Sequence, residues 1–508
     1  LVWVGSGLSE FGIVAGTQMS EQDFEKASAL MAGRDPSTGE QLVSPKLAVF
    51  EDAKVPLEEL VAGIELAALA RGQEPGALFE AAKHRAMFDR AKRSVERAGS
   101  AATLRADEAR KLVDAAGLRA EDVWGSGVLE TAIGNLVEVN ETVDADGVIS
   151  VVETPRRKAV GNLGYDMTFT FPKSYSVLMA FAEEQQANGI EAQLNGSVTD
   201  TFAWVQEHTS YGMRGKHGDG KTAKKVTTSG FSGWAMTHRT ARPVEGAAIG
   251  DPHWHMHVTF ANMAKGTDGE WGTVGAGGRD LIRHSRAADM LAQAQARHRL
   301  AEEFGCRFVR SPRSGEWEIA HIPQEVIVAF SKRGVAISEM LEGFGFDPAA
   351  ASRAQRLLAA SRTREAKTTE AQHATDSSLR DLWQGQARRM GVDPQAIAEA
   401  AMGGPRHAGA VNVDAAFVGQ VVARLQSVED GLTASRRRFT TVDAIAAVAD
   451  CLPEGARSID DVERLTEVVL GDAGFVAVGV AGDRAITDGE VRSLRAGHMA
   501  NADTYTTV

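Results

Sequence analysis

The run Asp251-Pro-His-Trp-His-Met-His-Val-Thr-Phe260 sets His253, His255 and His257 at every second position. In an extended strand that period turns all three imidazoles to one face, which makes the run a candidate metal site. Same-face neighbours lie about 7 Å apart and the outer pair about 13 Å apart, given the rise of a strand. With metal–nitrogen bonds of about 2.1 Å, two adjacent histidines can share an ion, whereas three in line cannot do so comfortably. A ligand from another segment is required. The best candidate is His238, in Gly230-Phe-Ser-Gly-Trp-Ala-Met-Thr-His-Arg-Thr240, a segment of aromatic and small residues separated from the histidine run by the loop 241–252. Two strands joined in this way can pair antiparallel. The alternative reading is a group of half-buried histidines that hydrogen-bond and hold no ion.

Three imidazoles beside a carboxylate and a basic segment suit phosphate chemistry. A cation held there would polarise a phosphate oxygen during an in-line displacement. By ligand softness imidazoles favour Zn or Mn over Mg. The carboxylate is Asp166, in Gly164-Tyr-Asp-Met-Thr-Phe-Thr-Phe171, where Asp166, Thr168 and Thr170 face one way and Met167, Phe169 and Phe171 the other. The basic segment runs from His208 to Arg242, with Arg214, Lys216, Lys221, Lys224, Lys225, Arg239 and Arg242 against the single acid Asp219. Together with Lys173, these are the candidate contacts to the phosphates of a nucleic acid. Within this segment Gly215-Lys-His-Gly-Asp-Gly-Lys-Thr222 matches the letters of a phosphate-binding P-loop. A P-loop needs a buried strand before it and a helix after it, and neither is expected here. The segment reads instead as a mobile basic loop over a nucleic-acid groove.

The elements that must position these groups form an α+β arrangement, an antiparallel sheet with helices packed on one face. Residues 1–44 read as short mixed elements. Residues 45–155 read as a mainly helical insertion, with Leu57, Leu60, Val61 and Ile64 at helical steps and β-type alternation from about 128, turning at Asp144-Ala-Asp-Gly147. Residues 156–345 form the core that carries the histidines. Residues 346–437 read as a helical tail with a linker, and 438–508 as a separate small helical unit. At 508 residues the chain suits about two to four domains. It has no apolar run long enough for a membrane span, and its two cysteines, Cys306 and Cys451, form no metal or disulfide pattern and fit a reducing cytoplasm. A net charge of −13 argues against a general coat for nucleic acid, so a local basic patch would have to do that work. The chain opens Leu-Val-Trp without an initiator methionine and stops inside an apparent structured element, so a piece of a longer protein is expected.

Three ordered motifs resemble those of TrwC/TraI-type (MobF class) conjugative relaxases, members of the HUH endonucleases. They are Gly164-Tyr-Asp-Met-Thr-Phe-Thr-Phe-Pro-Lys-Ser174, Thr237-His-Arg-Thr-Ala-Arg242 and Asp251-Pro-His-Trp-His-Met-His257. The resemblance covers most of 155–345. It extends more weakly to Trp3-Val-Gly-Ser-Gly7 with Phe11-Gly12, and to the tail from Arg438, which is similar to the segment leading into a helicase half. It implies nicking and rejoining of single-stranded DNA at a plasmid transfer origin through a 5′ phosphotyrosine, with Lys173 and the basic segment on the DNA phosphates and relaxosome and coupling proteins as partners. His238, His255 and His257 would hold the metal, Mg or Mn by resemblance, with Zn or another transition metal open. Asp166 would orient a histidine or help deprotonate the nucleophile, and His253 would stand behind the ligands or face DNA. In the family the nucleophilic tyrosines precede the segment resembled by Trp3–Gly7. This chain has tyrosines only at 165, 175, 211 and 505, so no nucleophile is assigned and the chain as given is expected not to nick. The insertion is longer than the family leads one to expect. Two competing readings remain: a non-catalytic DNA-binding relic of a relaxase, and a small-molecule metal-dependent phosphodiesterase using the same histidines with Asp166 as base.

Overall fold

The computed structural model describes residues 1–45, 47–49, 54–125, 128–129, 137–143, 149–155, 157–159, 161–218, 221–244, 247, 249–348, 351–363, 375–406, 414–434, 436–478, 487–489, 491–493 and 502–507. At its centre lies a four-stranded antiparallel sheet. From edge to edge it runs through the N-terminal strand Val2–Val4, the His238 strand Gly233–Thr240, the histidine strand Pro252–Ala261 and the Asp166 strand Gly164–Thr170. Alternation in the histidine strand is complete from Pro252 to Phe260. Pro252, Trp254, Met256, Val258 and Phe260 are buried, while the residues between them are half-buried.

The buried face packs on two 26-residue helices, Glu184–Thr209 and Arg279–Phe304. Each is about 39 Å long at the rise of an α-helix, enough to cover the sheet. The first opens with a capping box, Glu183 and Gln186 each satisfying the other's backbone N–H, so its start is fixed locally. Phe202, Phe231 and Phe260 stack in the interface with centroids 4.3–6.1 Å apart. Full burial of each such side chain contributes roughly 1.5–3 kcal/mol.

On the other face, a second core of Trp3, Leu8, Ala27 and Leu30 closes over Ala261 and Met263 at one end of the sheet. The helix Asp23–Met31 supplies part of this cover. Gly164 allows the approach: a Cβ there would meet Met31 and the Phe260 carbonyl at 2.4–2.6 Å. The opposite end of this face, where the histidines stand, is only half-buried.

The insertion has its own core, separate from the main one, built from Leu57, Leu60, Ile64, Phe79, Phe88, Leu112 and Val123. Its helices are Glu58–Ala70, Ala82–Ala98, Ala106–Ala115 and Ala120–Trp124. Leu47–Val49 pairs with Arg157–Ala159 and so brings its two ends together. Val137–Val143 and Ile149–Pro155 form the expected hairpin, whose turn at Asp144–Gly147 lies outside the described residues.

Two expectations need correction. The basic segment is not a loop: Gly212–Gly218 and Lys221–Val226 pair as a β-hairpin, which puts a strand where a P-loop has its helix. Alternation was hidden there because lysines stood where apolar residues would mark a strand. The 438–508 stretch is not a separate helical unit either. Its helix Thr441–Asp450 packs along Arg279–Phe304 within the main core, and Phe439–Thr440, Phe475–Ala477 and Thr504–Thr507 make a three-stranded sheet. Val491–Ser493 adds a third strand to the basic hairpin. Arg297, 1 % exposed, sends its guanidinium to the carbonyls of Ala449 and Leu452.

Candidate metal centre and DNA-facing residues

Register decides which side chains meet. His238 lies directly across from His255, and His255 across from Thr170; in the next row Met236, His257 and Thr168 align. The ligand atoms of His238, His255 and His257 therefore converge within 4.8 Å of one another, the one such group among the described residues. His238 Nδ1 and His255 Nε2 are 3.3 Å apart. Two nitrogens at about 2.1 Å from one ion are separated by about 3.0–3.4 Å for angles between octahedral and tetrahedral, so this pair already has the separation an ion imposes.

Backbone and carboxylate acceptors set the tautomers. His257 Nδ1 donates to Asp166 Oδ2 at 2.8 Å, and His255 Nδ1 donates to the His253 carbonyl at 3.0 Å. Both rings are thereby left with Nε2 as the lone-pair atom, the arrangement that orients imidazole toward a metal and raises its basicity. Thr259 Oγ1 donates to the other oxygen of Asp166 at 3.3 Å, and Thr168 Oγ1 stands 3.2 Å from His257 Nδ1. Sequence reasoning missed both threonines as participants. The signal was present, since Thr168 shares the parity of Asp166 and Thr259 that of His257.

The donor set fits a divalent transition-metal ion: three neutral nitrogens, two of them fixed by acceptors, on a rigid sheet rather than a loop. His253 is not in the group. Its ring stacks on His255 with centroids 4.8 Å apart, and burial together with the nearby Lys173 charge lowers its pKa to about 3.

The expected DNA contacts are scattered. Lys173 turns its amine to the Pro252 carbonyl, and burial pulls its pKa down to about 8. Arg214 makes a two-pronged bond to Asp268, both contacts at 2.9 Å. Arg239 lies on the helix side of the sheet, opposite to His238, where it pairs with Glu191 at 2.8 Å and Asp376 at 3.3 Å. Lys225 lies over the Tyr211 ring at 5.0 Å. Lys224 and Arg242 are exposed. The backbones of Lys216 and Lys221 belong to the hairpin, but their side chains lie outside the described residues. Trp234 meets Trp3 edge-on at 6.5 Å and Trp271 stacks on Phe11 at 5.3 Å, so both work as half-buried wall.

The four tyrosines are held away from the histidines. Tyr165 packs on Phe260, on the helix side of its strand. Tyr175 is fully buried, with its pKa pushed up by burial. Tyr211 donates to Asp280 at 2.6 Å. Tyr505 stacks on Phe439 in the C-terminal sheet. A cavity of about 910 Å³ also lies off the site: Phe202, Ala235, Met256 and Val258 line it from the helix side. No described helix is long and apolar enough to cross a membrane.

Comparison with known proteins gives concordant matches. The family model for the TrwC relaxase matches residues 1–390. The multifunctional conjugation protein TraI of Escherichia coli is 28% identical over 302 residues, covering 57% of this chain and 15% of that protein. TraI of Escherichia coli strain K12 is 27% identical over 303 residues, with the same coverage. The chain thus spans 15% of the length of these relatives. Among solved structures, the metal-bound conjugative relaxase TrwC in complex with oriT DNA is 26% identical, covering 46% of this chain and 73% of that one, with a TM-score of 0.38. TrwC complexed with a 27-mer DNA comprising the recognition hairpin and the cleavage site is 23% identical, covering 59% and 90%, also at 0.38.

Proposed function

The chain belongs to the TrwC relaxase family, and on that premise we propose that it is the DNA-processing part of a conjugative relaxase. Its substrate is single-stranded DNA at a plasmid transfer origin, cleaved and rejoined by transesterification through a 5′ phosphotyrosine, in the cytoplasm and in company with relaxosome and coupling proteins. The observation that carries this reading is the convergence of His238, His255 and His257, with His257 fixed by Asp166.

A bound divalent ion would supply Lewis-acid polarisation of a phosphate oxygen. The chain's own residues do the positioning. Asp166 holds the proton on His257 Nδ1, so that Nε2 faces outward; it is already engaged by His257 and Thr259, which makes it an orienting residue rather than a base for a nucleophile. The His253 carbonyl does the same for His255. Among the candidate cations whose side chains are described, Arg242, exposed beyond the end of the His238 strand, and Lys224 on the hairpin are available to DNA phosphates. None of the four tyrosines supplies the nucleophile.

The test is binding of a transfer-origin single strand to the chain with and without Mn²⁺, followed by denaturing electrophoresis. Salt-sensitive binding without a covalent adduct is expected. Absence of single-strand binding, or an adduct on Tyr165, Tyr175, Tyr211 or Tyr505, would overturn the proposal or its assignment of the nucleophile respectively.

A further inference from the structure

The insertion plays no part in the histidine site, yet one of its helices carries a cationic row. Ala82–Ala98 has six basic residues, Lys83, Arg85, Arg90, Lys92, Arg93 and Arg97, against Asp89 and Glu96. That local excess sits in a chain whose net charge is −13.

Helical geometry sorts these charges into two groups. Lys83, Arg90 and Arg97 recur every seven residues, a step that drifts by only about 20° around an α-helix. Arg93 falls beside them, one turn from both Arg90 and Arg97. The four make a nearly straight row about 21 Å long at 1.5 Å per residue. All four are exposed. Among the described residues none of them forms an ion pair; Arg97 alone makes a side-chain bond, to the Arg93 carbonyl. The acids stand on the neighbouring flank with Lys92, whose amine pairs with Glu65 at 2.8 Å and feels Asp89 and Glu96 as well. Arg85 is spent on the carbonyls of Gly76 and Phe79.

We propose that this helix is a second DNA contact, one that grips the phosphate backbone of double-stranded DNA through Lys83, Arg90, Arg93 and Arg97, apart from the histidine site. The inference rests on the DNA reading of that site. A row of unpaired cations on a rigid rod is the electrostatic footprint of a polyanion. A membrane fits less well. A basic helix that lies on lipid needs a free apolar face, and here Phe88 and Ala91 are buried in the insertion's core at 2 % and 4 % exposure, with Met87 and Val95 packed against it. Duplex fits better than single strand, because single-strand tracks interleave cations with aromatic rings for base stacking. The side chains that border this row are Ala86, Met87, Asp89 and Ser94, none of them aromatic. They leave only phosphate contacts, which a stiff duplex presents at fixed positions.

The experiment is fluorescence anisotropy on the whole chain with two probes, a duplex of arbitrary sequence and an oligo-dT single strand, across a series of salt concentrations. The variant combines Lys83→Gln, Arg90→Gln, Arg93→Gln and Arg97→Gln. It should bind duplex with a log–log salt slope shallower by about 3.6, and Arg90→Gln alone by about 0.9. Its single-strand binding and melting temperature should match the parent's. An equal charge removal at Lys26, Lys54, Lys111 and Arg119 should leave duplex binding largely intact. The inference is overturned if the row variant binds duplex like the parent, if the control loses as much, or if phosphatidylserine vesicles bind the row and duplex does not. Single-strand binding without any duplex binding sinks this inference alone, whereas failure of both probes together with the transfer-origin single strand sinks the reading of the histidine site with it.

Discussion

The two faces of the central sheet come from the same strands yet obey different rules. On one, Phe169, Trp254, Met256, Val258 and Phe260 pack to near-zero exposure. On the other, Asp166, Thr168, His257 and Thr259 pass hydrogen bonds from strand to strand. A one-residue alternation is all that separates stability from chemistry, so a one-residue register slip would exchange them. Two aspartates make the contrast sharper. Asp166 stands half in solvent beside an imidazole. Asp289, on the helix Arg279–Phe304, is half-buried with its carboxylate turned to the Thr170 backbone N–H, and desolvation raises its pKa from 3.8 to about 6.

Substitutions that act on one face only should break this division if it is wrong. The largest effect is expected for Trp254→Ala, which removes a ring packed on Phe171 and bonded to Glu191; about 3–5 kcal/mol of unfolding free energy should be lost by denaturant titration. His255→Ala should leave the melting temperature near that of the parent and weaken metal binding by at least about 100-fold, about 2.7 kcal/mol by calorimetry. Equal loss of stability in both variants would erase the distinction. Asp166→Asn should act more weakly than His255→Ala, with metal affinity lower by about 10–100-fold and the fold intact.

Asp289→Asn gives the smallest and most diagnostic change, through pH. The folded pKa lies above the unfolded one, so the folded state binds more protons between pH 3.8 and about 6 and stability declines as pH rises through that window. Above it the full cost of a buried carboxylate is present. The amide should therefore stabilise by roughly 1–2 kcal/mol at pH 8 and by almost nothing at pH 4, read from melting curves at both values. A stabilisation independent of pH would show that packing, not charge, distinguishes the two aspartates.

Period two is why the site was legible without coordinates. It put His255 and His257 on one face, ruled out three ligands in line, and called for a partner from the neighbouring strand. The same parity, applied to His238, would have put Arg239 on the helix side, where Glu191 holds it; a count of basic residues along the chain ignores facing. The hairpin at 212–226 was illegible because its strands carry lysines rather than an apolar stripe. The anchoring of Thr441–Asp450 on Arg279–Phe304 was illegible for another reason. Thr441–Asp450 carries an apolar face of its own, whereas Arg279–Phe304 is buried on every side from Leu291 to His298, and nothing local says which neighbour covers which side.

Arg297 gives that anchoring a practical meaning. Its guanidinium caps the carbonyl end of Thr441–Asp450 from within the core, where the negative end of a helix dipole welcomes a cation. Loss of the segment from residue 438 onward would remove the helix that Arg297 caps and leave its guanidinium without those two carbonyls, facing an emptied apolar groove. Any dissection of this chain must therefore keep the helix Thr441–Asp450 together with the sheet and helices that precede it.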